Sequence, residues 1–287
     1  MSAGNDWAAL MARLLGAERR TLGAAARIDP ALADPEEARA RPFPIARRRR
    51  PEVVDDGGVR RLYFDRRYVQ SAMRLNDPYA LELAYTRFMM SFLLFVEAPR
   101  EILLVGLGGG SLAKFCHRYL PEACITVVES DAEVIALRDC FAVPEDERLR
   151  ILHADAADYL PACAEAFDVI LLDGCDADGM APSFANPTFY RAAARCLRTG
   201  GVLVVNLVGE RQRWLGQLRL LWNAFDRRVR ILGIPQERGH YLALAFHDPE
   251  LYRLPPSIEA AAVRLGAEVP LDLNRLARWL RKDDQTV

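Results

Sequence analysis

Short apolar runs recur through the middle of the chain, separated by amphipathic stretches. Ile102 to Val105, Ile125 to Val128, Leu149 to Leu152, Val169 to Leu172 and Val202 to Leu207 are rich in Val, Ile and Leu and nearly free of polar positions. Runs without polar alternation predict strands covered on both faces. Between them the spacing predicts helices near 111–119, 131–141, 156–164 and 187–198. Strand and helix taking turns in this way implies right-handed crossovers and a parallel, doubly wound α/β sheet. A further helix near 211–225 precedes two closing strands, 228–234 and 240–246, and the tail at 257–282 reads as helical.

The pattern ahead of this region differs. Trp7, Leu10, Met11, Leu14 and Leu15 fall at helical spacing within residues 4–27, which predicts an amphipathic helix able to dock on the body or on a partner. Residues 29–51 carry five prolines among charged stretches and end on Arg47-Arg48-Arg49-Arg50, an extended linker whose Arg run reads as a solvated strap. Asp56-Gly57-Gly58 is a turn, and Val59 to Phe64 and Tyr68 to Met73 have the β-branched and aromatic content of a short β-ribbon. Asn76-Asp77-Pro78 should start a mostly apolar helix over 78–96. The divisions expected are a helical extension and linker (1–51), a β-ribbon (52–77), a Rossmann-like catalytic domain (78–250) and a helical tail (251–287).

Composition narrows the function classes. The 287 residues include 38 Lys plus Arg against 39 Asp plus Glu, a net charge of −1, and 51% are apolar. This excludes a disordered chain and argues against a basic nucleic-acid binder. Lys114 and Lys282 are the only lysines, so Schiff-base chemistry is set aside. The six cysteines show no C-x-x-C and no zinc-like spacing with His, and read as reduced, buried thiols of a cytoplasmic protein. The start of the chain lacks a signal-peptide layout, and the longest apolar stretch, Phe88 to Val96, is too short to span a bilayer, so no membrane role is expected.

The strongest chemical signal is Leu103-Leu104-Val105-Gly106-Leu107-Gly108-Gly109-Gly110-Ser111, a buried strand entering a glycine-rich turn that opens a helix. Glycines let the backbone approach a ligand, and the exposed N–H groups of a helix start attract polar atoms. Glu129 ends the next strand, where a carboxylate can accept both hydroxyls of a ribose. Asp155, followed by Ala156, closes the third strand, either accepting from an adenine amino group or capping the next helix. Three successive strand ends thus form an adenosine site. NAD fits less well, because a second half-sheet of matching motifs is missing.

The fourth strand ends in Asp173-Gly174-Cys175-Asp176-Ala177-Asp178. Acids crowded at the mouth of a sheet repel one another, so they are usually there to hold a cation or take a proton. Asp173 and Asp176 are the candidates to bind and deprotonate an amine before it attacks a sulfonium-bound carbon. Magnesium is another occupant such acids suit, but no metal is assigned. Asp178 reads as a solvated turn residue.

With these residues in view, positions from about 60 to 246 resemble the spermidine synthase (polyamine aminopropyltransferase) family, and the Gly-Leu-Gly-Gly-Gly-Ser-Leu turn also resembles spermidine-synthase-like methyltransferase domains. The resemblance implies a Rossmann-like, class I methyltransferase-type sheet behind a small N-terminal β-region. It implies that Gly106, Gly108, Gly109, Gly110, Glu129, Asp155 and Ala156 bind the nucleoside, with Pro182 covering the adenine. Asp173 becomes the catalytic base, and Gln70, Tyr85 and Asp176 the amine-binding residues. The implied reaction is aminopropyl transfer from decarboxylated S-adenosylmethionine, a co-substrate in place of a tightly bound cofactor, to a diamine such as putrescine, giving spermidine and methylthioadenosine. The implied assembly is a homo-oligomer, dimer or tetramer.

The departures are specific. The family's Asp within the glycine turn is Gly109 here, its Gln-Glu pair after the Tyr is Thr86-Arg87, and its late Tyr is replaced near Gln236. Exchanging an anion for Arg87 suits a donor carboxylate, so methyl transfer from intact S-adenosylmethionine, with Arg87 holding its tail, is the alternative enzyme. A non-catalytic nucleoside- or partner-binding relative is the third reading. His117, His153, His240 and His247 have no sequence-visible partners, and Asn206 reads as a strand end that could line the pocket.

Overall fold

The computed structural model describes Trp7, Leu10, Met11 and residues 50–64, 68–176, 179–209, 211–235, 237 and 240–284; of Cys175, Asp176, Gly179, 211–213 and 282–284 only the backbone is described. Most of the expected linker, Arg47 to Arg49, Asp178 and Gln236 lie outside the described residues.

Seven strands form the central sheet: β4 (Glu101–Val105), β5 (Cys124–Glu129), β6 (Leu149–His153), β7 (Phe167–Leu172), β10 (Leu197–Leu207), β11 (Val229–Gly233) and β12 (Tyr241–Phe246). Their order is β11-β12-β10-β7-β4-β5-β6, parallel except for β12, which runs antiparallel to both neighbours. The five apolar runs are therefore five of the six parallel strands, the sixth being β11. Alternation along them feeds two cores: Ile102, Leu104, Val169 and Leu171 face one side, and Leu103, Val105, Ile170 and Leu172 the other.

The described α-helices are α1 (Ala84–Met89), α2 (Ser111–Tyr119), α3 (Ala132–Ala136), α4 (Ala156–Tyr159), α5 (Pro187–Cys196), α6 (Arg211–Ala224), α7 (Pro249–Tyr252), α8 (Ile258–Leu265) and α9 (Leu273–Asp284). Helix α5 and α6 cover the second core, where Leu10 is also buried and Trp7 meets Trp222 edge-on at 6.1 Å. Those described N-terminal residues thus dock on the body. Helices α8 and α9 pack on the first core.

Several expectations change. The β-ribbon has a third strand: β1 (Glu52–Asp56) pairs with β2 (Val59–Tyr63), which pairs with β3 (Val69–Arg74). The two are joined through Gly57 and Gly58 at φ +58° and +76°, the positive-φ pair that a tight hairpin needs. Polar Asp55 and Asp56 hid β1. The helix expected over 78–96 begins only at Ala84 and becomes a 3-10 turn at Met90–Leu94. Ahead of it, side chains take the carbonyls a helix would have used, Thr86 that of Leu83 and Arg87 those of Leu81 and Glu82. The helix expected over 131–141 is short, and that over 156–164 tightens to a 3-10 turn at Leu160–Ala162, which carries Pro161. The tail is two helices, broken around Pro270. Cys124 and Cys140 are exposed, where buried thiols were expected; Cys116 and Cys196 are buried.

Candidate active site

Strand order reverses between β4 and β7: the chain leaves β4 toward β5 and β6, and leaves β7 toward β10. A crevice opens at the carboxyl ends of such a pair, where doubly wound sheets bind ligands. The backbone continues the ladder around its rim, with Asp173 N–H donating to the Val105 carbonyl and Gly106 N–H to that of Val128, each at 2.9 Å. Gly106 has φ +96°, and a Cβ there would collide with the Asp173 carbonyl. Gly110, the residue before α2, is also left-handed at φ +66°, and a Cβ would strike Val143.

Of the expected nucleoside residues, Glu129 is bonded directly to this turn. Glu129 accepts from Leu107 N–H through Oε2 and from Asp131 N–H through Oε1, both at 2.8 Å. It therefore ties the glycine turn to the end of β5, and each oxygen keeps a further lone pair for a hydroxyl. Asp155 caps α4, its Oδ1 accepting from Ala157 N–H at 2.8 Å, so the capping role is real. Ala156 is buried beneath, and Pro182 opens the 3-10 turn Pro182–Phe184 beyond β7. Phe184 from that turn fills the space where a Gly174 side chain would project.

Asp173 directly follows β7 at this switch point and is half-buried. The Tyr85 phenol donates to its Oδ2 at 3.0 Å, and Asn206 Nδ2 donates to its Oδ1 at 2.7 Å. Burial pushes the carboxyl up to about 6, while both hydrogen bonds oppose that rise. Asp173 thus combines anion-stabilising donors with a proton affinity suited to a base near neutral pH. The backbone of Asp176 lies in a small hairpin, β8 (Cys175–Asp176) with β9 (Gly179–Met180), at the same sheet edge. Gln70 is the extra residue in a bulge: Leu62 pairs with Ser71 and Tyr63 with Val69. Bulges re-aim a side chain and are frequent beside active sites.

The network extends to residues given no catalytic role in the sequence reading. His240 Nε2 lies 2.6 Å from Asn206 Oδ1, and its Nδ1 lies 2.7 Å from Glu237 Oε2. The Tyr85 and His240 rings approach to 5.3 Å between centroids. Asn206 was visible as a polar residue closing an apolar strand. His240 was not, because its partner lies 34 positions earlier.

Arg87 is engaged through one of its nitrogens. Its Nη1 donates to the carbonyls of Leu81 and Glu82 at 2.5 and 2.8 Å, which commits that nitrogen to holding the loop ahead of α1. Around Gly109 there is no room for an acid either: a Cβ would come within 2.7 Å of Ser71 Oγ and 2.8 Å of the Phe141 ring. Beneath the turn Lys114 is fully buried, with Nζ donating to the Phe141 carbonyl at 2.6 Å, and burial pulls it down to about 8. Among the described residues, no cluster of His, Cys, Asp and Glu is placed to hold a metal, and no helix is long and apolar enough to cross a membrane.

The sheet order and the glycine turn at the switch point are those of a Rossmann-like, class I methyltransferase-type transferase domain. More particularly, the chain belongs to the spermine/spermidine synthase family. The family's sequence profile, described as the spermine/spermidine synthase domain, matches residues 82–214. The chain is 32% identical over 253 residues to a polyamine aminopropyltransferase of Chromobacterium violaceum, covering 84% of this chain and 96% of that one. A probable spermidine synthase from Corynebacterium glutamicum superposes with a TM-score of 0.64 at 22% identity, over 83% of this chain and 94% of that one. A human eEF1A lysine and N-terminal methyltransferase is 34% identical over 128 residues, 40% of this chain and 18% of that protein.

Proposed function

We propose that this protein is a polyamine aminopropyltransferase, moving an aminopropyl group from decarboxylated S-adenosylmethionine to a diamine such as putrescine. The observation that carries the reading is Asp173, set between Tyr85 and Asn206 beside the glycine turn. The donor's ribose would lie against Glu129 and its adenine near Asp155, Ala156 and Pro182. The diamine would lie toward Gln70, Tyr85 and Asp176.

The acceptor nitrogen attacks the methylene carbon attached to sulfur. The new C–N bond forms as the C–S bond breaks, its electron pair going to sulfur to leave neutral methylthioadenosine. The extra N–H proton passes to the Asp173 carboxylate. Positioning of the two substrates supplies much of the acceleration.

Incubating the protein with decarboxylated S-adenosylmethionine and putrescine, and following spermidine and methylthioadenosine by mass spectrometry, tests the reading. Equimolar formation of both supports it. Turnover only with intact S-adenosylmethionine, giving a methylated product, would overturn it. The engagement of Arg87 by backbone carbonyls weakens that methyl-transfer alternative, which relied on it for the donor carboxylate. A homo-oligomer in a soluble, cytoplasmic setting belongs to the same reading, and light scattering of the purified chain tests the assembly.

A further inference from the structure

Donor and acceptor rules fix the direction of every hydrogen bond behind Asp173. An ionised carboxylate only accepts, so the 2.7 Å contact must use the Asn206 Nδ2–H. The same amide then turns Oδ1, an acceptor, toward His240 Nε2 at 2.6 Å. Two acceptors cannot face each other at that distance, so Nε2 carries a proton. On the far side, Nδ1 and Glu237 Oε2 hold one proton between them across 2.7 Å.

We infer that His240, oriented by Glu237, is a positioning residue for the base: its Nε2–H locks the Asn206 amide in the orientation that donates to Asp173. This rests on the reading of Asp173 as the base and adds to it a third layer, drawn from the loop between β11 and β12. Without that N–H the amide can turn over and present its oxygen to the carboxylate. Asp173 would then lose a donor and gain a repulsion.

The arrangement has further support. Asn206 is 3% exposed, so water cannot readily replace a lost partner. The groups facing His240 are Glu237 from its own loop, Tyr85 from α1, and Asn206 from β10 with Asp173 behind it. Burial favours a neutral ring and Glu237 opposes this. A neutral ring with its proton on Nε2 still serves, provided the shared proton rests on Glu237.

The test compares His240→Leu, His240→Gln, Glu237→Gln and Asp173→Asn in the full chain. Glutamine can place an N–H donor near the position of Nε2. The Leu variant should lose roughly 10- to 100-fold in kcat, with the KM for diamine changed far less. Its acid limb in kcat/KM should move to higher pH, and the Gln variant should recover most of the loss. In protein labelled with 15N-histidine, the His240 signal, assigned by its absence from His240→Gln, should show Nε2 protonated at neutral pH. Equal kinetics for His240→Leu and wild type, equal losses in the Leu and Gln variants, or an Nε2 without its proton would each overturn the proposal. Glu237→Gln can donate to Nδ1 and keep the ring proton on Nε2, so it should lie nearer wild type than His240→Leu. If His240→Leu fails to fold, a 15N signal showing Nε2 without its proton overturns the proposal instead. Failure of the base reading is distinct: Asp173→Asn would then keep turnover.

Discussion

Gly106 and Asp173 meet back to back at the switch point of the sheet, the backbone of one occupying the space that any side chain on the other would need. The contact joins the turn expected to cradle the nucleoside to the residue expected to take the proton. Gly106→Ala combines this collision with the cost of holding a non-glycine residue at φ +96°. Loss of at least about 2 kcal/mol of stability is expected, together with loss of donor binding. Urea unfolding and calorimetry with methylthioadenosine measure the two effects.

The pH dependence of kcat/KM should report Asp173. Its carboxyl is raised to about 6, so activity should climb as pH rises through that value and level off above it. Tyr85→Phe removes a donor that favours the anion, and the acid limb should therefore shift to higher pH. A shift to lower pH, or a limb unaffected by Tyr85→Phe, would contradict the assignment.

Much of this centre was legible beforehand, and the boundary has a physical cause. Gly106 to Gly110, Glu129 and Asp173 each follow a buried strand, so local pattern placed them on one edge. Their partners arrive from elsewhere: Tyr85 is 88 positions from Asp173, and Asn206 is 33. His240 depends on an antiparallel strand inserted between β10 and β11, a pairing no local period reveals. Arg87 shows a second limit of local pattern. Its charge invited a ligand, while its actual partners are carbonyls five and six residues earlier, which no side-chain motif records.

Asp173 should also limit stability. Its folded pKa of about 6 lies above the ordinary value of 3.8, so the fold binds the proton more tightly than the unfolded chain does. That contribution is fully present below 3.8 and is lost as pH rises through 6. Asp173→Asn should therefore stabilise the protein at pH 8, by an amount on the order of 2 kcal/mol, with little gain at pH 4. Urea midpoints at the two pH values decide it, and the same variant should be inactive.

Arg87→Ala should act on the fold ahead of α1 and leave donor choice alone. Removing the guanidinium frees two carbonyls it now satisfies, a loss of about 1 to 3 kcal/mol. The ratio of binding constants for S-adenosylmethionine and its decarboxylated form should stay within about twofold of wild type. A selective weakening of the carboxylated donor would restore Arg87 to the role its charge suggested.

Gly109 stands where the resemblance would place the family's acid, and introducing an acid there should harm this protein. A Cβ at 109 meets both the Phe141 ring and Ser71 Oγ, and Phe141 is fully buried in the core, so the ring has little space into which to retreat. Overpacking of this kind typically costs about 1 to 3 kcal/mol. Gly109→Ala and Gly109→Asp should therefore both lower the melting temperature and weaken donor binding, the Asp variant more. Pairing Gly109→Asp with Phe141→Ala should return part of the lost stability and separate the effect of space from that of charge. If the double variant then binds the decarboxylated donor more tightly than wild type, space at Phe141 is what excludes the acid. If it does not, the donor's amine is held here by other residues.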